Sequence, residues 1–331
     1  MAALGQVRRI LFVRTDRLGE TLLNLPAVAA LRAALPDASV TLLVHPDLHP
    51  LLDGLPGVER VLADAAPEPV AWWVSAWRLG RRLRAGRFDL AIVSNPKKEL
   101  HLAVWLAGIR IRVGYDRKWG WLLSHRIPDR KALGERHEVE YNLDLLRVLG
   151  LPTQAPAWSF PQFSREQADV RALLARQGLQ PSEPFIVVHP WSSNPAKEWP
   201  DERYRALIHR LAEELRIRVV VVGGAQAQDR VQAVLPARGR AVEVVGQLTL
   251  RQLAALLQDA RLLISNDSGP VHLAAAVGIR TVVLFGGMSE ATGPRRWGPW
   301  GAGHTVIHRP LTEISVEEVL ESVYMSLREM Y

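Results

Sequence analysis

Cysteine is missing altogether from the 331 residues, which excludes disulfides, iron–sulfur clusters, thiolate zinc sites and a cysteine nucleophile. No apolar run reaches the roughly 18 residues that a spanning helix needs. The N-terminal run Ile10 to Val13 is too short for a signal-peptide core and is bracketed by Arg8, Arg9 and Arg14. The chain is therefore expected to stay inside the cell, in the cytoplasm. Gly-x-Gly-x-x-Gly is absent, and so is the phosphate-loop pattern ending in Gly-Lys-Ser/Thr, which removes the usual fingerprints of dinucleotide and nucleoside-triphosphate binding. Asp-x-Asp is lacking too. Lysine is scarce in a chain rich in arginine.

What is present is the profile of a globular protein, 48% hydrophobic and 23% charged, with room for two domains of ordinary size. The net charge of +7 is unevenly spread. Residues 1–150 carry 22 Lys or Arg against 16 Asp or Glu, whereas residues 151–331 carry 19 against 18. The excess in the first half suits an anionic partner, or else a solvated basic surface.

Short aliphatic runs alternate with helical patterns along both halves. RRILFV, SVTLLV, FDLAIVS and RIRVGY come first, then PFIVVHP, IRVVVVGG, AVEVVG, ARLLISN and RTVVLFGG. Such alternation predicts parallel sheets covered by helices, with VVVV a strand buried on both faces. Residues 151–163, with three prolines, read as a linker; Ser164 then caps a helix that Gly178 stops. The last stretch, 314–331, reads as one amphipathic helix. The fold class is α/β, with two doubly wound domains. A cleft between them would let turns from both face one ligand.

Four strand-to-helix turns carry the candidate chemistry. In TDRLGE, Gly19 allows close backbone approach and Glu20 is either a general base or simply an acid favoured by a helix dipole. In HPWSSNPAKEW, Ser192, Ser193 and Asn194 are hydrogen-bonding types, and Lys197 offers a compact positive charge to phosphate oxygens or is a surface lysine. GGAQAQD places Gly223 and Gly224 after a buried strand. In NDSGPVHLAAAVG, Pro270 suits a helix start, making Gly269 or Ser268 the N-cap, with Asp267 just before and His272 in the first turn. Free N–H groups and the dipole at such a start attract anions, phosphate above all. No His-x-x-x-His or Glu-x-x-His pair accompanies His272, so metal ligation has no support there.

Together, RTDRLGETLLNLPA, HPWSSNPAKEWP and NDSGPVHLAAAVGIRTVVLFG resemble the glycosyltransferase family 9 proteins, the lipopolysaccharide heptosyltransferases and their relatives. The resemblance implies a GT-B fold of two Rossmann-like domains facing across a cleft. Residues 1–160 would bind the acceptor and 161–310 the nucleotide sugar, with a C-terminal helix at 311–331 packing back toward the first domain. It also implies transfer with inversion, without metal or cofactor, from an ADP-sugar such as ADP-heptose. By motif, Glu20 takes the place of the proposed base, Lys197 that of the lysine facing the donor phosphates, and Asp267, Ser268, Gly269 and His272 the donor-binding turn.

Family members usually have aspartate where Glu20 stands; Asp16 is the reserve candidate. On the acceptor side, Lys97, Lys98 and His101 follow the strand FDLAIVSN, and Arg117 and Lys118 are further candidates beside Gly19. WWVSAWRLGRRLRAGR reads as a helix that contacts an anionic membrane or glycolipid, or that packs through its tryptophans. The expected partners are a nucleotide sugar and an anionic saccharide or glycolipid, with no nucleic acid. A monomer, peripheral at the inner membrane face, is expected. Two other readings stay open: a non-catalytic nucleotide-sugar or polyanion-binding protein, and a GT-B sugar-nucleotide epimerase.

Overall fold

The computed structural model describes residues 4–64, 70–154, 156, 158–214, 216–236 and 241–328. Two compact units divide the chain, Met1–Phe160 and Pro161–Tyr331. The first runs β1 (Arg9–Arg14), α1 (Leu18–Leu22), α2 (Leu25–Ala34), β2 (Ser39–Val44), α3 (His49–Leu52), β3 (Arg60–Ala63) and α4 (Trp72–Arg84). It continues through β4 (Leu90–Val93), α5 (Lys98–Leu106), β5 (Ile111–Tyr115), β6 (His125–Ile127) and α6 (Glu138–Arg147).

The second unit opens with α7 (Ser164–Arg176), β7 (Phe185–His189), α8 (Asp201–Glu213), β8 (Arg218–Val221), α9 (Val231–Val234) and β9 (Ala241–Glu243). Then come α10 (Leu250–Asp259), β10 (Leu262–Asn266), α11 (Gly269–Val277), β11 (Arg280–Phe285), α12 (Pro294–Trp297), β12 (Thr305–His308) and α13 (Val316–Arg328).

Each unit holds a six-stranded sheet, ordered β3-β2-β1-β4-β5-β6 in the first and β12-β11-β10-β7-β8-β9 in the second. Neighbours pair in parallel throughout, with Phe12 opposite both Leu42 and Ile92 in the first sheet. The central strands are sheathed by helices and so are apolar on both faces: every residue of β4 and β10 is buried. Numbered within its own unit, each sheet follows the order 3-2-1-4-5-6. The strand order therefore reverses between β1 and β4, and again between β7 and β10, leaving a crevice beyond the carboxyl ends of those strands.

In the first unit Leu11, Val13, Ala91 and Val93 pack against Leu79 and Leu83 of α4 and Leu100, Ala103 and Val104 of α5. In the second, Trp199 and Tyr204 are wholly buried, their rings edge-on at 5.0 Å. The Trp199 indole N–H donates to the Ile314 carbonyl at 3.1 Å, which ties the chain before α13 to the start of α8. Helix α13 itself lies against α8, β11 and β12 of its own unit.

Two boundaries differ from the sequence reading. Ser164 is the first helical residue of α7, with Phe163 in the cap position and no side-chain cap bond. Helix α13 begins at Val316 because Ile314 is buried just after a short 3-10 turn, and residues 329–331 lie outside the described residues. Gly178 and Gly278 end α7 and α11 in the left-handed region, at φ 83° and 89°, where glycine costs least.

Candidate active site

At the β1–β4 junction the chain places charge in depth. Arg14 is 6% exposed. Its Nε lies 3.2 Å from Asp16 Oδ2 and its Nη1 3.6 Å from Glu138 Oε1, on α6. Lys97, just before α5, reaches Asp16 Oδ1 at 2.9 Å and also donates to the Thr15 carbonyl at 3.3 Å. Asn95 adds a bond to Asp16 at 3.1 Å. Burial pushes the Asp16 carboxyl up, but the Arg14 guanidinium and the Lys97 ammonium outweigh it and hold the group below its usual range. An acid so engaged is a poor proton acceptor.

Glu20 stands four residues on, in the first turn of α1, and is partly exposed. Among the described residues its carboxylate has no hydrogen-bond or ion-pair partner; only its main-chain carbonyl is engaged, by Asn24 Nδ2 at 2.7 Å. Gly19 beside it is buried. The two carboxylates thus differ in engagement among the described residues: Asp16 is held by Arg14, Lys97 and Asn95, and Glu20 is not.

The β7–β10 junction is built from neutral groups and one ion pair. Ser268 is the N-cap of α11 with Pro270 in the first turn, yet its side chain makes no bond to the helix. Its hydroxyl lies 2.9 Å from Ser265 Oγ and 3.2 Å from His189 Nδ1, which is itself 3.1 Å from Ser265. Burial lowers the His189 pKa to about 4, so the ring is uncharged near neutral pH. With Ser268 turned away, the first N–H groups of α11 have no side-chain cap from it, which suits an anion.

Lys197 Nζ binds Asp267 Oδ2 beside that helix start. Burial pushes the Asp267 carboxyl up while Lys197 works against it. The turn carrying Lys197 is braced from within. Asn194 Oδ1 accepts from Ala196 N at 3.1 Å, Glu198 Oε1 from Ser192 N at 2.9 Å, and Asn266 Oδ1 from Trp199 N at 3.0 Å. Arg230 then holds Glu198 at 2.8 Å. Ser193 and Asn194 are exposed at the tip.

Other candidates from the sequence are buried or packed against neighbours. His101 is not open to a ligand: it is wholly buried, and its Nδ1 meets the Lys118 carbonyl at 3.0 Å. Burial lowers its pKa, so the neutral ring supports the 117–119 corner, where Lys118 and Trp119 hold positive φ of 45° and 69°. Gly223 has a packing reason, since a Cβ there would meet the Trp191 ring at 2.7 Å. His272 is buried in the first turn of α11. Arg117 pairs with Asp129 at 3.2 Å, and Lys98 lies 4.2 Å over the Trp72 ring. Sequence reasoning passed over His189, Ser265, Asn266 and Asn95. Their one local signal was position, each at the carboxyl end of a buried strand.

The chain also matches known proteins. The family model for glycosyltransferase family 9 (heptosyltransferase) matches residues 76–321. The chain belongs to glycosyltransferase family 9. Lipopolysaccharide heptosyltransferase 3 of Escherichia coli is 27% identical over 300 residues, covering 85% of this chain and 83% of that one. Among solved structures, a glycosyl transferase family 9 protein from Veillonella parvula superposes at TM-score 0.87, with 22% identity over 97% of each chain. The ADP-heptose lps heptosyltransferase II of E. coli gives 0.82, at 23% identity over 97% and 99%.

These likenesses confirm the GT-B class of two Rossmann-like domains and make this family 9 chain a glycosyltransferase. Among the described residues no three His, Asp or Glu side chains gather as metal ligands.

Proposed function

We propose that this family 9 enzyme moves a sugar, a heptose carried by an ADP-sugar, onto a saccharide of the lipopolysaccharide core or a related cell-envelope glycan. Glu20 removes the proton of the acceptor hydroxyl as that oxygen attacks the anomeric carbon. The bond from this carbon to the diphosphate breaks on the opposite face, so configuration inverts. Lys197 and the amides at the start of α11 take up the negative charge on the departing nucleoside diphosphate, and neither metal nor cofactor is needed. Asp267 steers Lys197, while the uncharged His189 keeps the Ser268 hydroxyl away from those amides. Ser192, Ser193, Asn194, Gly223 and His272 complete the donor side; Gly19, Lys97, Lys98, Arg117 and Lys118 serve the acceptor, with His101 supporting their corner.

One observation carries this reading: Asp16 is tied to two cations and an amide, whereas among the described residues the carboxylate of Glu20 is unengaged. The names of its relatives support the donor and acceptor classes, since solved relatives are an ADP-heptose lps heptosyltransferase and a heptosyltransferase with ADP. We assign the enzyme to the cytoplasm as a monomer, working at the inner face of the membrane.

The test offers the protein a panel of ADP-, UDP-, GDP- and dTDP-sugars and follows thermal unfolding, because a ligand of the native state raises apparent stability by mass action. The ADP-sugar should give the largest shift. With acceptor and chelator added, the product anomer should be opposite to the donor's. Preference for another nucleotide, retained configuration, or loss of turnover on chelation would each remove the corresponding part.

A further inference from the structure

Helix α4 turns its tryptophans outward. Its buried side is Ala76, Leu79, Gly80 and Leu83, and Gly80 lets α5 approach so closely that a Cβ there would meet Leu106 Cβ at 2.9 Å. At about 100° per residue, Trp73, Trp77, Arg81 and Arg84 then share one flank roughly 80° wide. Trp73 is 57% exposed and Trp77 49%. The Arg81 guanidinium stacks on Trp77 at 4.8 Å.

The aromatic surface continues past the helix start. Trp73 meets Trp72 at 5.9 Å, Trp72 meets Trp119 at 5.0 Å, and Trp119 meets Trp121, 65% exposed, at 5.8 Å. At the other end Arg81 and Arg84 enter an open groove of about 1230 Å³, which Arg87 and Arg110 also line. Its one acid, Asp89, is already satisfied by the Arg8 and Arg9 amides at 2.8 and 2.9 Å. Among the described residues no carboxylate pairs with Arg84, Arg87 or Arg110, and α4 itself contains no acid.

We infer that this flank of α4, from the Trp119 corner to the arginine groove, is a docking surface for an anionic lipid bilayer. Indole rings prefer the boundary between headgroups and acyl chains, and unpaired arginines match lipid phosphates. A helix rich in arginine and tryptophan, without acids, is suited to lie on such a surface. Among the described residues no helix is long and apolar enough to cross a membrane, so the binding is peripheral and reversible. The inference rests on the proposed function in one respect: Lys98, assigned to the acceptor, lies over Trp72, so a lipid-linked acceptor would meet its saccharide-binding residues beside the docked face.

The experiment sediments the full chain with vesicles of phosphatidylcholine alone or mixed equally with phosphatidylglycerol. The wild type should pellet with the anionic vesicles and far less with the neutral ones. Trp73→Ala/Trp77→Ala and Arg81→Glu/Arg84→Glu should each weaken that binding by about tenfold or more, the wild type losing binding in high salt. These side chains are exposed, so thermal melting should be unchanged, and turnover on a delipidated, water-soluble acceptor should match wild type. Failure of the wild type to bind anionic vesicles, or binding indifferent to both double variants, overturns the inference. A lipid-free dimer that the tryptophan variant dissolves would make a second copy the occupant and overturn it equally. Vesicle binding without turnover on any soluble acceptor would instead count against the transferase assignment and leave the docking surface standing.

Discussion

At the β1–β4 junction of the first unit, two cations close on Asp16, and Arg14 reaches on to Glu138. At the β7–β10 junction of the second, an uncharged imidazole and two hydroxyls sit beside one lysine–aspartate pair. The strand order around both is the same. Topology therefore explains why each unit has a crevice at that place, and side chains explain why the crevices differ. The first compensates its fixed charges among themselves and, among the described residues, leaves the Glu20 carboxylate without a partner, the group that takes the proton in the proposed function. The second keeps its groups neutral or paired around a helix start whose dipole is positive, the place that receives the leaving group's negative charge in the proposed function.

The largest effect should come from testing the two carboxylates of the first junction against each other. Glu20→Gln should lower turnover by about 10²–10⁴-fold, the usual worth of a general base, while donor-induced thermal stabilisation stays intact. Asp16→Asn should act on the fold instead, because it leaves Arg14 and Lys97 without their shared counter-ion. Its melting temperature should drop, with whatever protein remains folded still showing the Glu20-dependent rate. If Glu20→Gln turned over normally and Asp16→Asn alone abolished chemistry with stability unchanged, the roles would be exchanged.

Next comes Lys197→Met, which removes the one ammonium at the second junction. Loss of a preorganised charge facing a leaving group costs on the order of 10²-fold in turnover, and donor binding should weaken with it. Asp267→Asn should be milder, since the charge survives and only its aim is lost. Steady-state kinetics on both variants separates these. Equal losses would mean that the pair acts as a structural brace and not as a cation held ready for phosphate.

Much of this is legible in the sequence. Runs such as LAIV and RVVV could only be buried parallel strands, and the glycine and proline punctuation located α7 and α11 to within a residue. What failed depended on partners far along the chain. The sequence offers Gly269 or Ser268 as the cap of α11; Ser268 takes that place, but its hydroxyl turns to His189, 79 residues earlier, and Lys197 finds Asp267 across 70 residues. His101 follows a strand end as a ligand-facing residue would, yet a neighbouring corner folds over it. The sequence leaves the tryptophans of α4 open between an anionic surface and inward packing, and Trp73 and Trp77 face outward. The inward side is Ala76, Leu79, Gly80 and Leu83, and Gly80 permits the close approach of α5.

The smallest and most specific effect concerns the neutral cluster of the second junction. His189 has a folded pKa of about 4, against an ordinary value of 6.5. The unfolded chain therefore takes up a proton at higher pH than the native one, so acid favours unfolding. The stability contributed is complete above about pH 6.5 and is lost as pH falls toward 4. Asp267, whose carboxyl is shifted up, has the opposite sign: the native state binds its proton first and gains as pH falls. Comparing wild type with His189→Asn cancels that second contribution, and the amide can still reach Ser265 and Ser268 at the place of Nδ1. Between pH 6.5 and 5 the wild type should lose about 1.5 kcal/mol more than the variant, or a few degrees of melting temperature. Parallel pH curves for the two proteins would mean that water or a proton reaches the imidazole in the native state, and that the second junction is charged after all.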